Sequence, residues 1–424
     1  MMALILFLSF LILLFLGVPI AFSLGISSLV YLVMADIPLN IISQKMFSGI
    51  NSFVLLCIPG FILAGNLMNY GGITDRIIQF ANNFIGHIRG GLGLATVGSS
   101  MGFAGISGTA LAETASIGSV MIPAMKKAGY DAGFSAAVTS SSSTVGPIIP
   151  PSLPLIIIGT MASLSIGDLF LAGAIPGVIL GIGLLIVTYF ISVKRNYPKG
   201  PRQPVKVVVK SFFSAFWALF MTFVILYGIL GGIFTPTEAS IVAVLYAFVV
   251  GLFIYKELKI KDIPKILLDS MVGTASIMIL VGLANLFGWI LVSEHIPPMV
   301  ADLILSISTN PIIVILLINL LLLFVGMFME TIAAIVILFP VLLPIADHIG
   351  MDPIHFGVMM VLNLIIGLST PPVGVCLYVA SSIGKVPVGR TVKELMPFIA
   401  VSLFVLLLVS YIPQLTLYLP SLFN

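Results

Sequence analysis

Long apolar runs separated by short polar segments dominate the hydrophobic pattern of this 424-residue chain. A helix needs about 20 apolar residues to cross the hydrocarbon core of a bilayer, and runs of spanning or near-spanning length recur along the sequence. We predict about ten transmembrane helices, at 3–16, 18–34, 50–70, 133–160, 168–193, 211–232, 237–255, 266–293, 354–383 and 395–415.

Two further apolar stretches, at about 92–125 and 311–345, are too long for one crossing and carry small residues or a carboxylate near mid-length. Backbone that is not helical is tolerated at membrane depth only where protein buries it or where it lines a polar cavity. Both stretches are therefore predicted to be re-entrant helical hairpins whose tips stop inside the protein. The predicted fold class is an all-α polytopic membrane protein.

Composition supports this fold class, because 60% of the residues are hydrophobic, 8% are charged and the mean hydropathy is +1.25. These values lie far outside the range of soluble globular domains. Cys57 and Cys376 fall in apolar runs without CxxC spacing and are predicted to be core residues. The sequence has no basic tract interleaved with aromatic residues, so we expect a lipid bilayer and no nucleic acid as its surroundings.

The distribution of Lys and Arg predicts the orientation of the helices, because cytoplasmic loops of membrane proteins are enriched in basic residues. If the N-terminus is outside, all but one of the 18 basic residues lie in cytoplasmic segments, and the exception is Lys45. The opposite orientation would leave a near-neutral cytoplasmic face. Both termini are therefore predicted to be outside, with the first hairpin open to the cytoplasm and the second to the exterior.

An internal repeat appears when the sequence is shifted by 221 positions. The segment "GPIIPPS" then meets "GLSTPPV", which aligns Gly146, Pro150 and Pro151 with Gly367, Pro371 and Pro372. Five predicted spans make up each copy, and an odd number places the copies upside down with respect to each other. We predict a first inverted repeat at 1–193, a basic cytoplasmic linker at 194–210 and a second repeat at 211–424. The other aligned pairs are Gly105 with Gly326, Pro123 with Pro344, Gly129 with Gly350, Asp131 with Asp352 and Pro176 with Pro397.

The matched proline pairs, Pro150–Pro151 and Pro371–Pro372, are predicted to break one helix in each copy. A break frees carbonyl oxygens that can coordinate a cation, and half-helix N-termini can attract an anionic substrate. One proline pair could simply kink a helix for packing. Two pairs at matching positions, each beside Gly and hydroxyl residues, favour a binding site instead.

The sequence predicts two sodium sites and contacts to an anionic substrate. The sodium sites are assigned to residues that offer main-chain carbonyl or side-chain oxygens, because neutral carbonyl and hydroxyl oxygens favour weak, reversible Na⁺ binding. No other metal is expected, since the four histidines are predicted in or near loops without metal spacing. The first sodium site is predicted at Gly105, Ser107, Gly108, Gly146, Ile149 and Ser152. The second is predicted at Gly326, Glu330, Thr331, Gly367, Thr370 and Val373. Substrate contacts are predicted at Thr109, Glu113, Ser143, Thr144, Asn285 and Glu330.

Among the 15 acidic residues, Glu113 and Glu330 are those inside the hairpin stretches. Carboxylates inside a membrane protein are expensive to bury and mark functional positions. A structural role as a hydrogen-bond anchor is the alternative for each. Glu238 is instead the last residue of "TPTE", in which Thr235 can be an N-cap, and is predicted to complete a capping box.

Two other functions stay open on these residues alone. The segment "GSSMG" at 98–102 matches GxSxG, which would make Ser100 the nucleophile of an intramembrane serine protease. Such a match arises readily in a stretch rich in Gly and Ser, and the histidine nearest in sequence, His87, lies at a predicted loop. A passive anion channel is the second alternative. HExxH and Walker-type motifs are absent from the sequence, so a metalloprotease or an ATP-driven pump is not expected.

Several motifs resemble the large membrane subunit of the tripartite ATP-independent periplasmic (TRAP) transporters, the dicarboxylate-transporter-like permeases. They span nearly the whole chain and are "NLMNYGGITDRI" (66–77), "GISGTALAETASIG" (105–118), "MKKAGYD" (125–131), "VGPIIPPS" (145–152), "GMFMETIAAIVILFPVLLPIA" (326–346) and "GVMMVLNLIIGLSTPPVG" (357–374).

This resemblance implies Na⁺-coupled, elevator-type uptake of an organic anion across the bacterial inner membrane, with both termini periplasmic. It also implies two partners, a small TRAP membrane subunit and a periplasmic substrate-binding protein. Glu330 matches an acidic position of the family motif. The substrate, whether a dicarboxylate, a keto acid, a sugar acid or sialic acid, is not decided by any residue, and "NLFGWILVSEHIPP" (285–298) has no arginine to clamp a carboxylate.

Overall fold

The computed structural model describes residues 2–104 and 109–423 and consists mainly of α-helices. These residues contain no β-strand, only an isolated antiparallel bridge between Arg89 and Lys199. The helices of the first half are α1 (Met2–Phe15), α2 (Ile20–Met34), α3 (Asn40–Ile50), α4 (Cys57–Tyr70), α5 (Ile73–Ile85), α6 (Gly91–Phe103), α7 (Ala110–Lys127), α8 (Ala132–Ser142), α9 (Leu153–Ala162) and α10 (Ile166–Lys194). The second half has α11 (Val205–Leu230), α12 (Pro236–Val249), α13 (Ile263–Ser293), α14 (Ile296–Ile307), α15 (Pro311–Gly326), α16 (Thr331–His348), α17 (Pro353–Gly367), α18 (Val375–Gly384), α19 (Val388–Tyr411) and α20 (Gln414–Phe423).

The prediction of an all-α polytopic membrane protein is confirmed. In the described part of the chain, six helical segments are long and apolar enough to cross a bilayer, and the bent pair α3–α4 can form a seventh span. Large apolar side chains such as Phe15, Phe190 and Phe223 are exposed on the outside, as lipid contact requires. The six segments are Ile166–Lys194, Val205–Leu230, Pro236–Ile254, Ile260–Ser293, Thr331–His348 and Val388–Tyr411.

Several predicted spans are not single straight helices. The runs at 133–160 and 354–383 each divide into two short helices, α8 with α9 and α17 with α18, because the proline pairs interrupt them. The two predicted hairpin stretches each contain a pair of helices in contact, α6 with α7 and α15 with α16. The run at 50–70 was predicted too short, since a further helix precedes it and the chain bends by 71° between α3 and α4.

Two amphipathic helices, α5 and α14, were not predicted, because their polar residues interrupt the apolar pattern expected of a span. Each of them follows a residue in the left-handed conformation, Gly72 with φ 72° and His295 with φ 55°. Helical segments at 40–70 and 263–293 come before these positions. The first of these segments is bent, whereas the second is the continuous helix α13.

Aspartates begin the two broken helices in the same way. Asp131 accepts hydrogen bonds from the backbone N–H groups of Gly133 and Phe134, and Asp352 accepts from those of Ile354 and His355. Such caps satisfy amide groups that the first turn leaves without partners. Both broken helices lie at the centre of the molecule, where the residues of α8 from Gly133 onward are buried. This interior position makes the two breaks the natural place to look for a site.

Candidate functional site

The second hairpin tip packs directly against the break of the second broken helix. The backbones of Gly326 and Gly367 are in contact, so that a Cβ atom on Gly367 would lie 2.6 Å from the Gly326 Cα. One residue beyond the tip glycine, the Met327 carbonyl accepts a hydrogen bond of 3.1 Å from the Gly374 N–H. The second hairpin tip and the second break are therefore packed together through Gly326 and Gly367, the two glycines that the sequence repeat aligns with Gly105 and Gly146.

Main-chain oxygens without partners gather at this second break. The carbonyls of Thr370, Pro371, Pro372 and Val373 accept no hydrogen bond from the described residues. The buried Thr331 hydroxyl likewise has no partner in the described part of the chain. The Thr370 hydroxyl, in contrast, donates to the Ile366 carbonyl at 2.8 Å. Oxygens of this kind are the ligands that a hard monovalent cation uses, so the donor set fits Na⁺.

Glu330 stands at the start of α16, where the chain leaves the second tip. Its carboxylate accepts hydrogen bonds from the backbone N–H groups of Ile332, at 2.8 Å, and Ala333, at 3.2 Å. It is the N-cap of this helix, which is a stabilising position for a negative charge. Glu330 thus combines the structural role left open by the sequence with a position beside the predicted second ion site.

The first break is occupied by Glu113. This side chain is fully buried, and its carboxylate lies so close to Gly146 that any Cβ there would overlap it. Neither carboxylate oxygen has a hydrogen bond of normal geometry to a described residue, although Ser100 lies nearby. Glu113 does not line the cavity described below. The prediction that Glu113 contacts the substrate therefore stays a prediction, and the structure places the carboxylate beside Gly146 at the first break.

The serine run at 139–146 is bonded mainly to its own helix. Ser143 donates to the Thr139 carbonyl at 2.8 Å and lies 2.5 Å from the Thr114 hydroxyl, and Thr144 donates to the Ser141 carbonyl at 2.6 Å. Both were predicted substrate contacts, and neither lines the cavity formed at the starts of α7, α9, α16 and α18. The hydroxyls therefore satisfy backbone groups around the break.

One pair of serines joins the two broken helices. The Ser369 hydroxyl donates to the Ser140 carbonyl at 2.8 Å, and the two hydroxyl oxygens are 3.4 Å apart. Both residues are buried. The two breaks are thus in direct contact at the centre of the molecule.

Four helix N-termini meet at a cavity of about 160 Å³ between the two hairpins. A helix N-terminus carries partial positive charge and free N–H groups, which favour a bound anion. In the described part of the chain no side chain caps α18, whose first residues Val375 and Cys376 line this cavity. The other lining residues come mainly from the starts of α7, α9 and α16, and they are Thr109, Ala110, Leu111, Pro147, Pro154, Glu330, Thr331, Ile332 and Leu368.

The remaining predicted site residues fall in other places. Gly105, Ser107 and Gly108, at the first tip, lie outside the described residues. Ile149 packs on Gly177, and Ser152 caps α9 through a hydrogen bond from the Leu155 N–H at 3.3 Å. Asn285 lies in a separate, larger cavity between α13 and α9 and does not line the cavity at the four helix N-termini.

A buried polar network was missed by the sequence analysis. His355 is 2% exposed, and its ring nitrogens lie 2.7 Å from the Thr416 hydroxyl and 3.3 Å from the Ser410 carbonyl. Asn319 and Asn363, on α15 and α17, bond to each other at 2.8 Å, and Asn319 also bonds to Ser410. His355 lies near a loop as predicted, three residues after the N-cap Asp352, but its burial and these long-range contacts gave no signal in the sequence.

Two other sequence predictions are confirmed by the structure. Glu238 accepts from the Thr235 N–H at 2.8 Å while Thr235 accepts from the Glu238 N–H at 3.3 Å, which is the predicted capping box. Cys57 and Cys376 are free and buried.

Helices broken at membrane depth around a buried polar centre are the architecture of a membrane transporter. The fold is similar to two solved transporters at low sequence identity. For MtrF of Neisseria gonorrhoeae the TM-score is 0.64 at 13% identity, covering 89% of this chain and 85% of that one. For the YdaH transporter of Alcanivorax borkumensis the TM-score is 0.62 at 11% identity, covering 87% and 86%.

The chain belongs to the family described as "Tripartite ATP-independent periplasmic transporter, DctM component", which matches residues 7–415. It is 43% identical over 412 residues to the sialic acid TRAP transporter large permease protein SiaM of Vibrio cholerae, covering 97% of this chain and 96% of that protein. It is 40% identical to the C4-dicarboxylate large permease protein DctM of Pseudomonas aeruginosa, covering 94% of each. A third relative, the isethionate permease protein DctMQ of Oleidesulfovibrio alaskensis, is 41% identical, covering 95% of this chain and 64% of that protein.

Membership of this family makes the chain a transporter subunit and not an enzyme. The protease alternative is therefore excluded. Ser100 itself is buried and donates a hydrogen bond of 3.0 Å to Ser142, inside the helix bundle. The passive-channel alternative is also set aside, because the relatives at about 40% identity are transporter permeases.

Proposed function

We propose that this protein is the permease subunit of a Na⁺-coupled importer of organic acid anions in the bacterial inner membrane. The observation that carries the proposal is the cavity in which the N-termini of α7, α9, α16 and α18 converge, flanked by the two helix breaks. The N-termini of α9 and α18, which have no acidic residue in their first turn, would attract an anion, while Glu113 on α7, Glu330 on α16 and the oxygens of the breaks would attract cations. Anion and cation would therefore be bound side by side.

In this proposal one Na⁺ ion binds at the second break. Its ligands would be carbonyl oxygens from the segment Thr370–Val373, with the Thr331 hydroxyl reaching from the tip. Gly326 and Gly367 let the two backbones approach closely enough to share an ion. The Glu330 carboxylate, held at the N-terminus of α16, would add a negative charge near the ion.

A second Na⁺ ion is proposed to bind at the first break, beside the Glu113 carboxylate. An ionised carboxylate buried without a partner costs several kcal/mol, which a bound cation would offset. Gly146 gives this side chain room at the break. The predicted ligands Gly105, Ser107 and Gly108 would complete the site from the tip, on residues that the structure does not describe.

The proposed substrate class is an organic acid anion, and the curated relatives support it by their names. Those relatives are described as permeases for sialic acid, C4-dicarboxylates and isethionate, all of which carry a carboxylate or sulfonate group. Helix N-termini bind either group through N–H donors without an arginine. Selectivity among these acids would be determined by the shape of the cavity and by the periplasmic substrate-binding protein that delivers the acid.

The proposed assembly has three components, namely this chain, a small TRAP membrane subunit and a periplasmic substrate-binding protein. The family description "tripartite" and the larger size of the isethionate relative support it. We further propose that 1–193 and 211–424 are inverted repeats joined by the basic linker 194–210, with both termini periplasmic. The hairpins and broken helices would move together in an elevator motion relative to the remaining helices.

The experiment is uptake by proteoliposomes that contain this chain with its small subunit, supplied with the binding protein. Labelled N-acetylneuraminic acid, succinate and isethionate are each tested under an inward Na⁺ gradient and under an equal K⁺ gradient. We expect accumulation of one acid with Na⁺ and none with K⁺. Equal accumulation in both salts would contradict Na⁺ coupling, and no Na⁺-dependent accumulation or counterflow of any acid would contradict the proposed function itself.

A further inference from the structure

A second large cavity, of about 480 Å³, lies between two groups of helices. One wall is formed by α3 and α13, and the other by α9 and α16, which begin at the inner cavity between the hairpins. We call this space the outer cavity. Its polar lining residues are Lys45, Ser48, Ser52, Thr160 and Asn285.

Two contacts join α3 and α13 along this cavity. Lys45 Nζ lies 5.1 Å from the centre of the Trp289 ring. One turn further along both helices, Gly49 is so close to Asn285 that a Cβ on the glycine would lie 2.8 Å from the amide carbon. Residues four apart share one face of a helix, so Lys45 and Asn285 lie on facing helices, one turn apart.

Three polar groups of the outer cavity have no hydrogen bond or ion pair with a described residue, whereas Ser48 and Thr160 donate to the carbonyls of Lys45 and Ile156 on their own helices. Within the described chain, Lys45 forms no ion pair and the cavity lining includes no Asp or Glu. The Asn285 amide and the Ser52 hydroxyl likewise make no hydrogen bond to a described residue. An ammonium, an amide N–H₂ and a hydroxyl are together a donor set for a carboxylate or sulfonate.

The outer cavity is adjacent to the inner one. On α16, Ile332 lines the inner cavity and Val336 the outer cavity, and on α9 the same holds for Pro154 and Ile157. Four residues of an α-helix span about 6 Å. An anion in the outer cavity would therefore need to move by little more than one helical turn to reach the four helix N-termini.

The charge of Lys45 has no equivalent in the predicted second repeat. With the shift of 221 positions, Lys45 aligns with Ile266, an apolar residue of α13. A third cavity, of about 220 Å³ between α4, α7 and α13, has Asp269 in its lining and no described Lys or Arg. The outer cavity thus contains a positive charge, Lys45, and the third cavity contains a negative charge, Asp269. This difference favours anion entry through the outer cavity.

We propose that the outer cavity is an anion-binding vestibule, in which Lys45, Ser52 and Asn285 hold the acid group of an incoming organic anion before it enters the inner cavity. This inference rests on the proposed function for its direction, since it places Lys45 on the periplasmic side. The chemical class of the ligand is an organic carboxylate or sulfonate. The Trp289 ring restrains the Lys45 side chain at the cavity wall.

A labelling experiment measures anion binding to the vestibule without transport. Ser48→Cys is introduced in the cavity lining, and its reaction rate with a membrane-impermeant maleimide is followed in proteoliposomes that contain the chain with its small subunit. Ser43→Cys is the matched control, because it lies on the same helix, is exposed and does not line the cavity. The native cysteines are buried and give the background. N-acetylneuraminic acid, succinate and isethionate are the probes, with their neutral methyl esters as controls.

We expect at least one acid to slow labelling of Ser48→Cys by at least about fivefold, while its ester and the Ser43→Cys control show no effect. Adding Lys45→Gln should remove this protection, and Lys45→Arg should retain it because the charge is kept. If protection persists in the Lys45→Gln protein, or if no acid slows the labelling, the vestibule proposal is wrong. Normal size-exclusion behaviour of the Lys45→Gln protein shows that folding is intact.

Uptake in the complete three-component system separates this inference from the proposed function. For Lys45→Gln we expect a KM at least about tenfold higher with kcat nearly unchanged, and a rescue by Lys45→Arg. An unchanged KM in a protein that still accumulates the acid would overturn the vestibule and leave the proposed function standing. Absence of uptake by the unmodified protein would instead overturn the proposed function, while charge-dependent protection of Ser48→Cys would still support anion binding.

Discussion

Gly367 and Gly326 are in backbone contact, with the position of a Cβ on Gly367 only 2.6 Å from the Gly326 Cα. Neither neighbour can yield, because the atoms that would be displaced are main-chain atoms of the hairpin tip. The distance between the second tip and the second break is therefore possible only because Gly326 and Gly367 have no Cβ atom. Any ion held between them depends on this approach.

Gly367→Ala should separate the second tip from the second break and weaken the ion site. We expect the half-saturating Na⁺ concentration for uptake to rise by at least about tenfold, equivalent to about 1.4 kcal/mol of binding free energy. Na⁺ titration of uptake in the reconstituted protein measures it. Gly389→Ala is the matched control, because nothing lies within 4 Å of its added Cβ. Equal titrations for both variants would contradict an ion site at this contact.

Glu330→Gln tests the charge at the start of α16. The amide keeps the shape and one acceptor oxygen for the cap, but it removes the negative charge beside the proposed ion. We expect Na⁺-dependent uptake to weaken by at least about tenfold. Glu238→Gln, which alters the capping box of α12 away from the cavity, should transport normally. Wild-type kinetics in Glu330→Gln would leave this residue with its capping role alone.

Much of this arrangement could be predicted from the sequence, because local chemistry fixes it. The proline pairs cannot continue a helix, and they lie where both helices break. Asp131 and Asp352 lie at the start of the two broken helices because their side chains cap free N–H groups. The same local logic identified the capping box at Glu238. Each of these features depends on residues within a few positions of one another.

Other features depend on contacts between distant segments and leave no local pattern. The segment 40–70 bends by 71° while the segment 263–293, of equal length, is one helix. His355 is buried because residues about 55 to 61 positions later bond to its ring. Glu113 reaches the first break because Gly146, far away in sequence, leaves space for it. Pairings of this kind appear only once the helices are packed.

Glu113→Gln tests whether a cation balances the buried carboxylate of the first break. Without Na⁺, a fully buried carboxyl group with no cation beside it is held as the neutral acid, so Glu113→Gln should leave the Tm close to that of the unmodified protein. With Na⁺, the unmodified protein should gain stability by binding the ion, by about 2.7 kcal/mol at a hundredfold excess over Kd. The Na⁺-induced rise in Tm should therefore be smaller in Glu113→Gln. It is measured by thermal unfolding in NaCl and in KCl of equal ionic strength, and Glu238→Gln should keep the full rise. An undiminished rise in Glu113→Gln would assign Na⁺ binding to other groups.

The last prediction separates main-chain from side-chain ligands at the second break. The Thr370 hydroxyl already donates to the Ile366 carbonyl, whereas the Thr370 carbonyl and those of the next three residues have no partner among the described residues. Thr370→Ala should therefore change the half-saturating Na⁺ concentration only modestly. The double variant Pro371→Ala with Pro372→Ala allows the helix to continue, and a carbonyl hydrogen-bonded along a helix axis cannot turn to a cation.

We expect this double variant to raise the half-saturating Na⁺ concentration strongly while expression and insertion stay normal. The variant Pro150→Ala with Pro151→Ala should act in the same way on the first break. Because each break would hold its own ion, either double variant should lower the Hill coefficient for Na⁺ without removing Na⁺ dependence. The measurement is Na⁺ titration of uptake in reconstituted protein. If both double variants titrate like the unmodified chain, the prolines serve helix packing, and the ions must be bound by other groups.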